Sequence, residues 1–313
     1  MIDEKMEISM GSAFKVKGTG LLHSIWKARM AYLFLSPLFI LLAIFSYYPP
    51  ISGIYHSFFD WDAVGTATFI GLDNYRELIR DSVFINSIGT MAKLNIPRLI
   101  ISIVVPFIMA ELIFAVKNAR TKYIYRVAIL LPMVAPGVVL TLIWQFIYDP
   151  HNGLATAIVR FIGLIGPNEV ISWLGNPRFT IPSLIFMGFP WVGGTAVLIY
   201  TSGLVGISTE VIESSVLDGA SIVRRIFSID IPLLLGQIRF FLIFGVISLF
   251  QDFSIQVVLT SGGPGRLTYV PAYHMFIQAF TAGRMGYASA IGTTIFLVIF
   301  IITISCYKYI KAR

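Results

Sequence analysis

The sequence predicts an all-α integral membrane protein with six transmembrane helices and one amphipathic loop between the fourth and the fifth. Three observations carry this reading. Hydrophobic residues make up 57% of the 313-residue chain and charged residues only 12%, with a mean hydropathy of +0.82, whereas ordinary globular chains sit near ~25% charged. Apolar runs close to the ~20 residues needed to cross a bilayer recur along the chain. Residues 208–232, STEVIESSVLDGASIVRRIFSIDIP, form the longest charged, non-spanning piece of the second half. The single cysteine, Cys306, excludes an intrachain disulfide or a cysteine metal cluster, and the four histidines lack ligand spacing. The net charge of +7 reads as loop bias rather than nucleic-acid affinity.

Residues 1–29 are polar to mixed, read as a cytoplasmic segment with a short interfacial helix near 21–27. The apolar run 30–48 is too long for a signal peptide's apolar region and lacks a cleavage site after it, so it reads as an uncleaved first span. Pro49-Pro50 are expected to end it, leaving 51–87 as a polar-aromatic loop. Further spans are expected at about 94–116, 125–147, 181–204, 237–259 and 288–309, giving a transmembrane domain over 30–309 and a tail at 310–313. Pro132 and Pro136 are expected to bend the third. With both termini inside, fifteen Lys and Arg fall on the inner side and eight on the outer, Lys93 and Arg98 being counted outside. That bias places the N- and C-termini and the 208–232 loop in the cytoplasm.

Within that loop Ser208 is placed to cap a helix, with Glu210 and Glu213 in or near its first turns. Ile212, Val216 and Ala220 are expected on one face, and Glu213, Ser214, Asp218 and Ser221 on the other. Gly219 permits a turn between two short helices. A second apolar face carries Ile222, Ile226 and Phe227 beside Arg224 and Arg225, and Pro232 is expected to close the element. Arg224 and Arg225 are free, on this reading, to meet acidic groups on a partner or lipid headgroups. The bland alternative is a merely amphipathic interfacial loop.

The same stretch resembles the EAA loop of permease subunits of binding-protein-dependent ABC importers. That pattern is Glu-Ala-Ala, three residues, Gly, nine residues, then Ile-x-Leu-Pro. It appears here as Glu213-Ser214-Ser215, Gly219 and Ile229-Asp230-Ile231-Pro232, with serines for both alanines and Ile for the leucine. Other pieces resemble the carbohydrate-uptake class of that family over about residues 29 to 307. They include Ile70-Gly71-Leu72-Asp73-Asn74-Tyr75, Leu131-Pro132, Leu142-Ile143-Trp144, Tyr148-Asp149-Pro150 and Trp173-Leu174-Gly175. Thr260-Ser261-Gly262-Gly263-Pro264 and Gly286-Tyr287-Ala288-Ser289-Ala290 extend the match. The resemblance implies a coupling helix that docks on a cytoplasmic ATPase, with Glu213, Ser214, Ser215, Asp218, Gly219, Ala220 and Phe227 at or around the contact. It also implies a second, homologous permease chain as partner, two copies of the ATPase subunit, an extracytoplasmic solute-binding protein, and a prokaryotic cell or inner membrane location.

No GxxxxGK[ST] phosphate loop, GxSxG, HExxH or catalytic carboxylate pair occurs, so the chain reads as a transport subunit rather than an enzyme. No cofactor is expected in it; ATP and Mg would be bound by the partner ATPase. Polar groups within spans default to function because they are costly there. On the fifth span Ser248, Asp252 and Gln256 are expected on one helical face, with Gln251 and Phe253 nearby, a set suited to a sugar substrate; the same residues would serve equally in a helix–helix hydrogen-bond network. Trp144 and Tyr148 are candidates for a stacking surface on the pathway, or for an interfacial aromatic belt. The rival from another class is an ion-gradient carrier, for which Asp252 is the strong mid-span carboxylate, although the two halves show no repeat.

Overall fold

The computed structural model describes residues 26–310; most of the expected N-terminal segment, with its interfacial helix, and residues 311–313 lie outside the described residues. The chain divides into two compact units, Met1–Ser52 and Gly53–Arg313. The described part of the first unit is helical and apolar. Helix α1 begins at Arg29, passes through a π turn at Ala43–Tyr47 and continues over Tyr48–His56. Pro49 and Pro50 therefore do not end it. The widened turn closes with the Tyr48 N–H donating to the Ala43 carbonyl, immediately before the two residues that have no N–H to donate.

In the second unit the expected loop 51–87 is largely structured. A short hairpin pairs β1 (Phe59–Asp60) with β2 (Thr68–Phe69), and helix α2 (Asp73–Arg80) follows. Asn74 Nδ2 donates to the Ser57 and Phe59 carbonyls at 2.9 and 3.0 Å, and Tyr75 and Ser57 hydroxyls bond at 2.7 Å. The Gly286 N–H donates to the Trp61 carbonyl at 2.9 Å, and a Cβ at Gly286 would overlap the Phe59 carbonyl. Close backbone approach explains the glycine there.

Helix α3 (Ser82–Ala115) is the spine of this unit. It starts at Ser82 and not near residue 94, because Asp81 caps it by accepting the N–H groups of Val83 and Phe84 at 2.8 and 3.2 Å. Its 34 residues make it ~51 Å long at 1.5 Å per residue, well beyond a ~30 Å hydrocarbon core. Lys93, one residue outside the expected span and counted on the outer side, thus sits inside the same helix as Arg98.

The third span is broken. Helix α4 (Ala119–Leu130), capped by Asn118, runs into a 3₁₀ turn at Leu131–Val134, and α5 (Gly137–Ile147) leaves at 91°. Ala135 is extended before Pro136, as a residue preceding proline prefers. After α6 (Leu154–Phe161), the expected fourth span is split between α7 (Pro177–Phe186) and α8 (Gly194–Val205). Then come α9 (Thr209–Leu217), α10 (Ile222–Arg225), a π turn at Ile226–Asp230 and α11 (Ile231–Leu233). Pro232 lies within the first residues of α11 and does not end the helical course. Helices α12 (Leu235–Gln251), α13 (Pro271–Phe280) and α14 (Met285–Tyr309) complete the unit.

Among the described residues four helical stretches are long and apolar enough to cross a membrane: Arg29–His56, Ser82–Ala115, Leu235–Thr260 and Met285–Tyr309. The count rises to as many as six if each of two bent pairs forms one span. One of those pairs joins α8 to α9 at 74°, so it draws on the 208–232 loop itself.

The core follows α3 from end to end. Near its start, Leu78 and Phe84 pack on Tyr287, Ile291 and Ile295 of α14. Near its middle, Leu94 meets Leu184 and Ile255. Toward its end, Phe107, Ala110 and Ile113 bury Val197, Tyr200 and Leu204 of α8.

Candidate functional site

Three polar arrangements lie along α3, at its end, its middle and its start. At the end stands the 208–232 knuckle. Ser208 occupies the position before α9 but its side chain makes no capping bond. The helix stops in a Schellman turn: Gly219 adopts φ +71, its N–H donates to the Val216 carbonyl at 3.0 Å, and the Ala220 N–H reaches the Ser215 carbonyl at 2.9 Å. Ser221 then caps α10 through the Arg224 N–H at 3.3 Å. Ser215 is buried, its hydroxyl donating to the Ile212 carbonyl, while Glu213, Ser214, Asp218 and Gly219 are exposed and Ala220 is half-buried.

The expected apolar face divides in two. Ile212 and Ile226 pack on the α3–α8 core, whereas Val216, Leu217, Ile222, Val223 and Phe227 are exposed. Val216 thus does not share the buried face with Ile212.

Arg225 is not free for an outside partner. Its Nε donates to Asp230 Oδ2 at 3.0 Å and its Nη2 to Glu111 Oε2 at 3.3 Å, over the Phe114 ring. Glu111 and Asp230 are both buried. One guanidinium therefore fastens the knuckle to the end of α3 from within. The sequence pattern missed this link because Glu111 and Arg225 are far apart in the chain.

Midway along α3 lies a cavity of about 470 Å³, lined by Asn95, Arg98 and Ser102 of α3, Trp191 before α8, and Ser248 and Asp252 of the fifth span. That volume is in the ~300–1,000 Å³ range of small-molecule sites. Ser248 and Asp252 line it, but Gln251, Phe253, Gln256, Trp144 and Tyr148 do not. The shared face of Ser248, Asp252 and Gln256 does not exist. The helix ends at Gln251, Asp252 is extended (ψ 123), and its Oδ1 accepts the Ser254 N–H at 3.0 Å before a π turn follows at Gln256–Thr260. Gln251 is exposed and Gln256 is buried elsewhere. Phe253 packs on Phe276 with the Met91, Val270 and Tyr273 group. Tyr148 donates its hydroxyl to the Ser183 carbonyl at 2.7 Å and sits with Trp144 and Trp173 in an aromatic cluster.

At the start of α3 lies a third network, which no motif in the sequence marks. Asp81 Oδ2 accepts from His274 Nε2 at 2.9 Å and from the Tyr287 hydroxyl at 2.8 Å, and His274 Nδ1 lies 3.1 Å from the Tyr269 hydroxyl. Glu77 and Arg284 pair bidentately beside it at 2.6 and 2.8 Å. Burial pushes the His274 imidazole below its ordinary value; Asp81 pulls the other way, and Arg266 and Arg284 add to the depression. Burial pushes the Asp81 carboxyl up, but hydrogen bonds from Tyr287, from the Phe84 and Val83 N–H groups and from His274 outweigh it and hold the carboxyl low. The neutral imidazole then donates from Nε2 to Asp81 and accepts at Nδ1 from Tyr269.

A histidine depressed on folding contributes fully above its unfolded value near ~6.5 and loses that contribution as pH falls. Asp81, also depressed, keeps its contribution until pH falls below about 3.8. The melting temperature of the purified protein is therefore expected to drop between pH 7.5 and 5.5, with a shallower drop in His274→Gln. Equal slopes in the two proteins would contradict this assignment.

Comparison with known proteins decides the family. Residues 102–313 match the family described as "Binding-protein-dependent transport system inner membrane component". The chain belongs to this family. A Bacillus subtilis relative named as a probable ABC transporter permease protein, YurN, is 29% identical over 90% of this chain and 95% of its own length. A Thermoanaerobacterium thermosulfurigenes relative, the probable starch degradation products transport system permease protein AmyD, is 30% identical over 87% of this chain and 91% of its own. Among solved structures, a chain of a bacterial ABC transporter that imports the acidic polysaccharide alginate superposes with a TM-score of 0.80 at 20% identity, covering 93% of this chain and 98% of that one. This permease therefore shares the fold of an importer subunit over nearly its whole length.

Proposed function

We propose that the chain is one of two permease subunits of an ATP-driven sugar importer and that the 208–232 knuckle couples it to a cytoplasmic ATPase. The observation that carries this is the division of the knuckle: one face is bolted to α3 through Arg225, while Val216, Leu217, Ile222, Val223 and Phe227 face outward. A surface of that kind on a rigid mount transmits motion to the helices when a partner moves it. Glu213, Ser214, Asp218 and Gly219 rim the docking face, and Ser215, Ala220 and Phe227 shape it.

The permease family, and the starch-product and alginate transport of similar proteins, support a carbohydrate cargo. On this reading 30–309 forms half of a six-plus-six-span pathway with both termini cytoplasmic. A second, homologous permease supplies the other half. Two ATPase copies bind ATP and Mg, and an extracytoplasmic binding protein delivers the solute. The solute passes by alternating access, so knuckle contacts must differ between the two states. Ser248 and Asp252 lie on the pathway. Phe253, Gln256, Trp144 and Tyr148 are assigned to the packing that shapes it, and the exposed Gln251 to its rim.

The test is uptake by proteoliposomes holding the natively extracted complex and its binding protein. Accumulation should require ATP inside and survive collapse of ion gradients. Loss with the gradient and indifference to ATP would point to an ion-driven carrier instead.

A further inference from the structure

The α3 cavity contains two ionisable side chains among its lining residues, Arg98 and Asp252, and they have opposite charge. They do not close on one another: among the described residues, the ion pairs within 4.0 Å involve neither of them. Asp252 is nevertheless the acid whose field reaches Arg98. Both are held by their surroundings. Asn95 Nδ2 donates to the Leu249 carbonyl at 2.8 Å, which fixes its amide and leaves Oδ1 at a long 3.5 Å from Arg98 Nη1. Asp252 Oδ1 is engaged by the Ser254 N–H, and among the described residues no hydrogen bond engages Oδ2. A guanidinium carries five N–H donors and a carboxylate several acceptor positions, so both groups retain hydrogen-bonding capacity toward the cavity.

We infer that Arg98 is a specificity-determining residue that balances Asp252 and tunes the cavity for uncharged, polyhydroxylated solutes. The inference rests on the importer reading above and names the class of its cargo. Hydroxyl groups can accept from Arg98 and donate to Asp252 at once, so a neutral sugar bridges the two charges without leaving either unmatched. An acidic sugar gains Arg98 but sets its own charge against Asp252, and a basic sugar meets the reverse conflict. Like charges brought together in a site with little water are strongly disfavoured. Trp191, tied by its indole N–H to the Ile185 carbonyl at 3.3 Å, adds an apolar surface to the same cavity.

Equilibrium binding to the detergent-purified complex, without binding protein, tests it with three probes: maltotriose, trigalacturonate and the fully deacetylated chitosan trimer. The wild type should bind maltotriose at least about tenfold more tightly than either charged probe. Asp252→Asn should move the preference toward trigalacturonate, and Arg98→Gln toward the chitosan trimer. The Arg98→Gln/Asp252→Asn double variant should return it to maltotriose, which separates charge balance from damage to the fold. Retention of the wild-type order in both single variants would overturn the inference. So would equal wild-type affinity for all three probes, or binding of none. ATP-dependent uptake by the same complex, reconstituted in proteoliposomes with its binding protein, is read separately: its absence in the wild type strikes the importer reading, whereas its presence with an unaltered probe order strikes the charge-balance inference alone.

Discussion

Gly219→Arg is expected to leave the protein in the membrane while abolishing ATP hydrolysis linked to transport. Gly219 holds φ +71 in the turn between α9 and α10, a conformation that costs other residues roughly 1–2 kcal/mol. No atom lies within 4 Å of where its Cβ would stand, so an added side chain meets open space within this chain. The local strain is survivable. The larger effect is at the docking surface, where a long cation would project beside Leu217, which is 88% exposed, and Ile222. Solute-stimulated ATPase activity of the purified complex should fall to the unstimulated level with normal yield of the permease. Normal stimulated turnover in this variant would remove the knuckle from the coupling path. Gly219→Ala separates the two contributions: it should carry most of the strain and little of the block, and keep most of the activity.

The second large effect is expected at Arg225. Its replacement by leucine leaves Glu111 and Asp230 buried together without their cation, and breaking a buried pair in this way typically costs ~3–5 kcal/mol. Thermal unfolding in detergent should show a marked fall in midpoint. Arg225→Lys should recover only part of it, because an ammonium lacks the forked geometry that reaches both carboxylates. Combining Arg225→Leu with Glu111→Gln and Asp230→Asn should restore much of the loss by removing the stranded charges. An unchanged midpoint in Arg225→Leu would mean that the triad does not hold the knuckle. Coupling should weaken in parallel with stability, since the same link joins the docking surface to α3.

Local chemistry was legible in the sequence wherever it was written in neighbouring residues. The turn at Gly219 and the break around Pro132 and Pro136 follow from residues with one dominant conformational habit. Reading failed where a distant contact or a subtle backbone change overrode a local rule. Pro49-Pro50 looked like a stop, but a π turn admitted them into α1. The first residues of α3, through Ser87, read as loop, yet Asp81 caps a helix that extends beyond the bilayer length. The fifth span contains neither Pro nor Gly near Asp252, so its interruption there left no periodic sign, and the supposed face through Gln256 was lost with it.

Charged residues were the hardest to place. By sequence alone Arg98 counts only toward the outer side and Arg225 only toward a surface partner, because single positions carry no record of their contacts. Arg225 finds its carboxylates at Glu111 and Asp230, and Arg98 meets the field of Asp252. The His274–Asp81 contact likewise joins residues 193 positions apart. Each of these links runs to α3 or its capping residue, so the helix that looked like one span among six organises the polar chemistry of the chain.

The most direct test is gentle extraction of the native complex, pull-down through this chain, and mass spectrometry of what accompanies it. The account predicts an ATPase bearing a GxxxxGK[ST] phosphate loop together with a second permease of similar length, both retained by wild type, and the ATPase lost from Gly219→Arg. A folded chain that emerges alone, or an ATPase that stays bound when the knuckle is blocked, would contradict it.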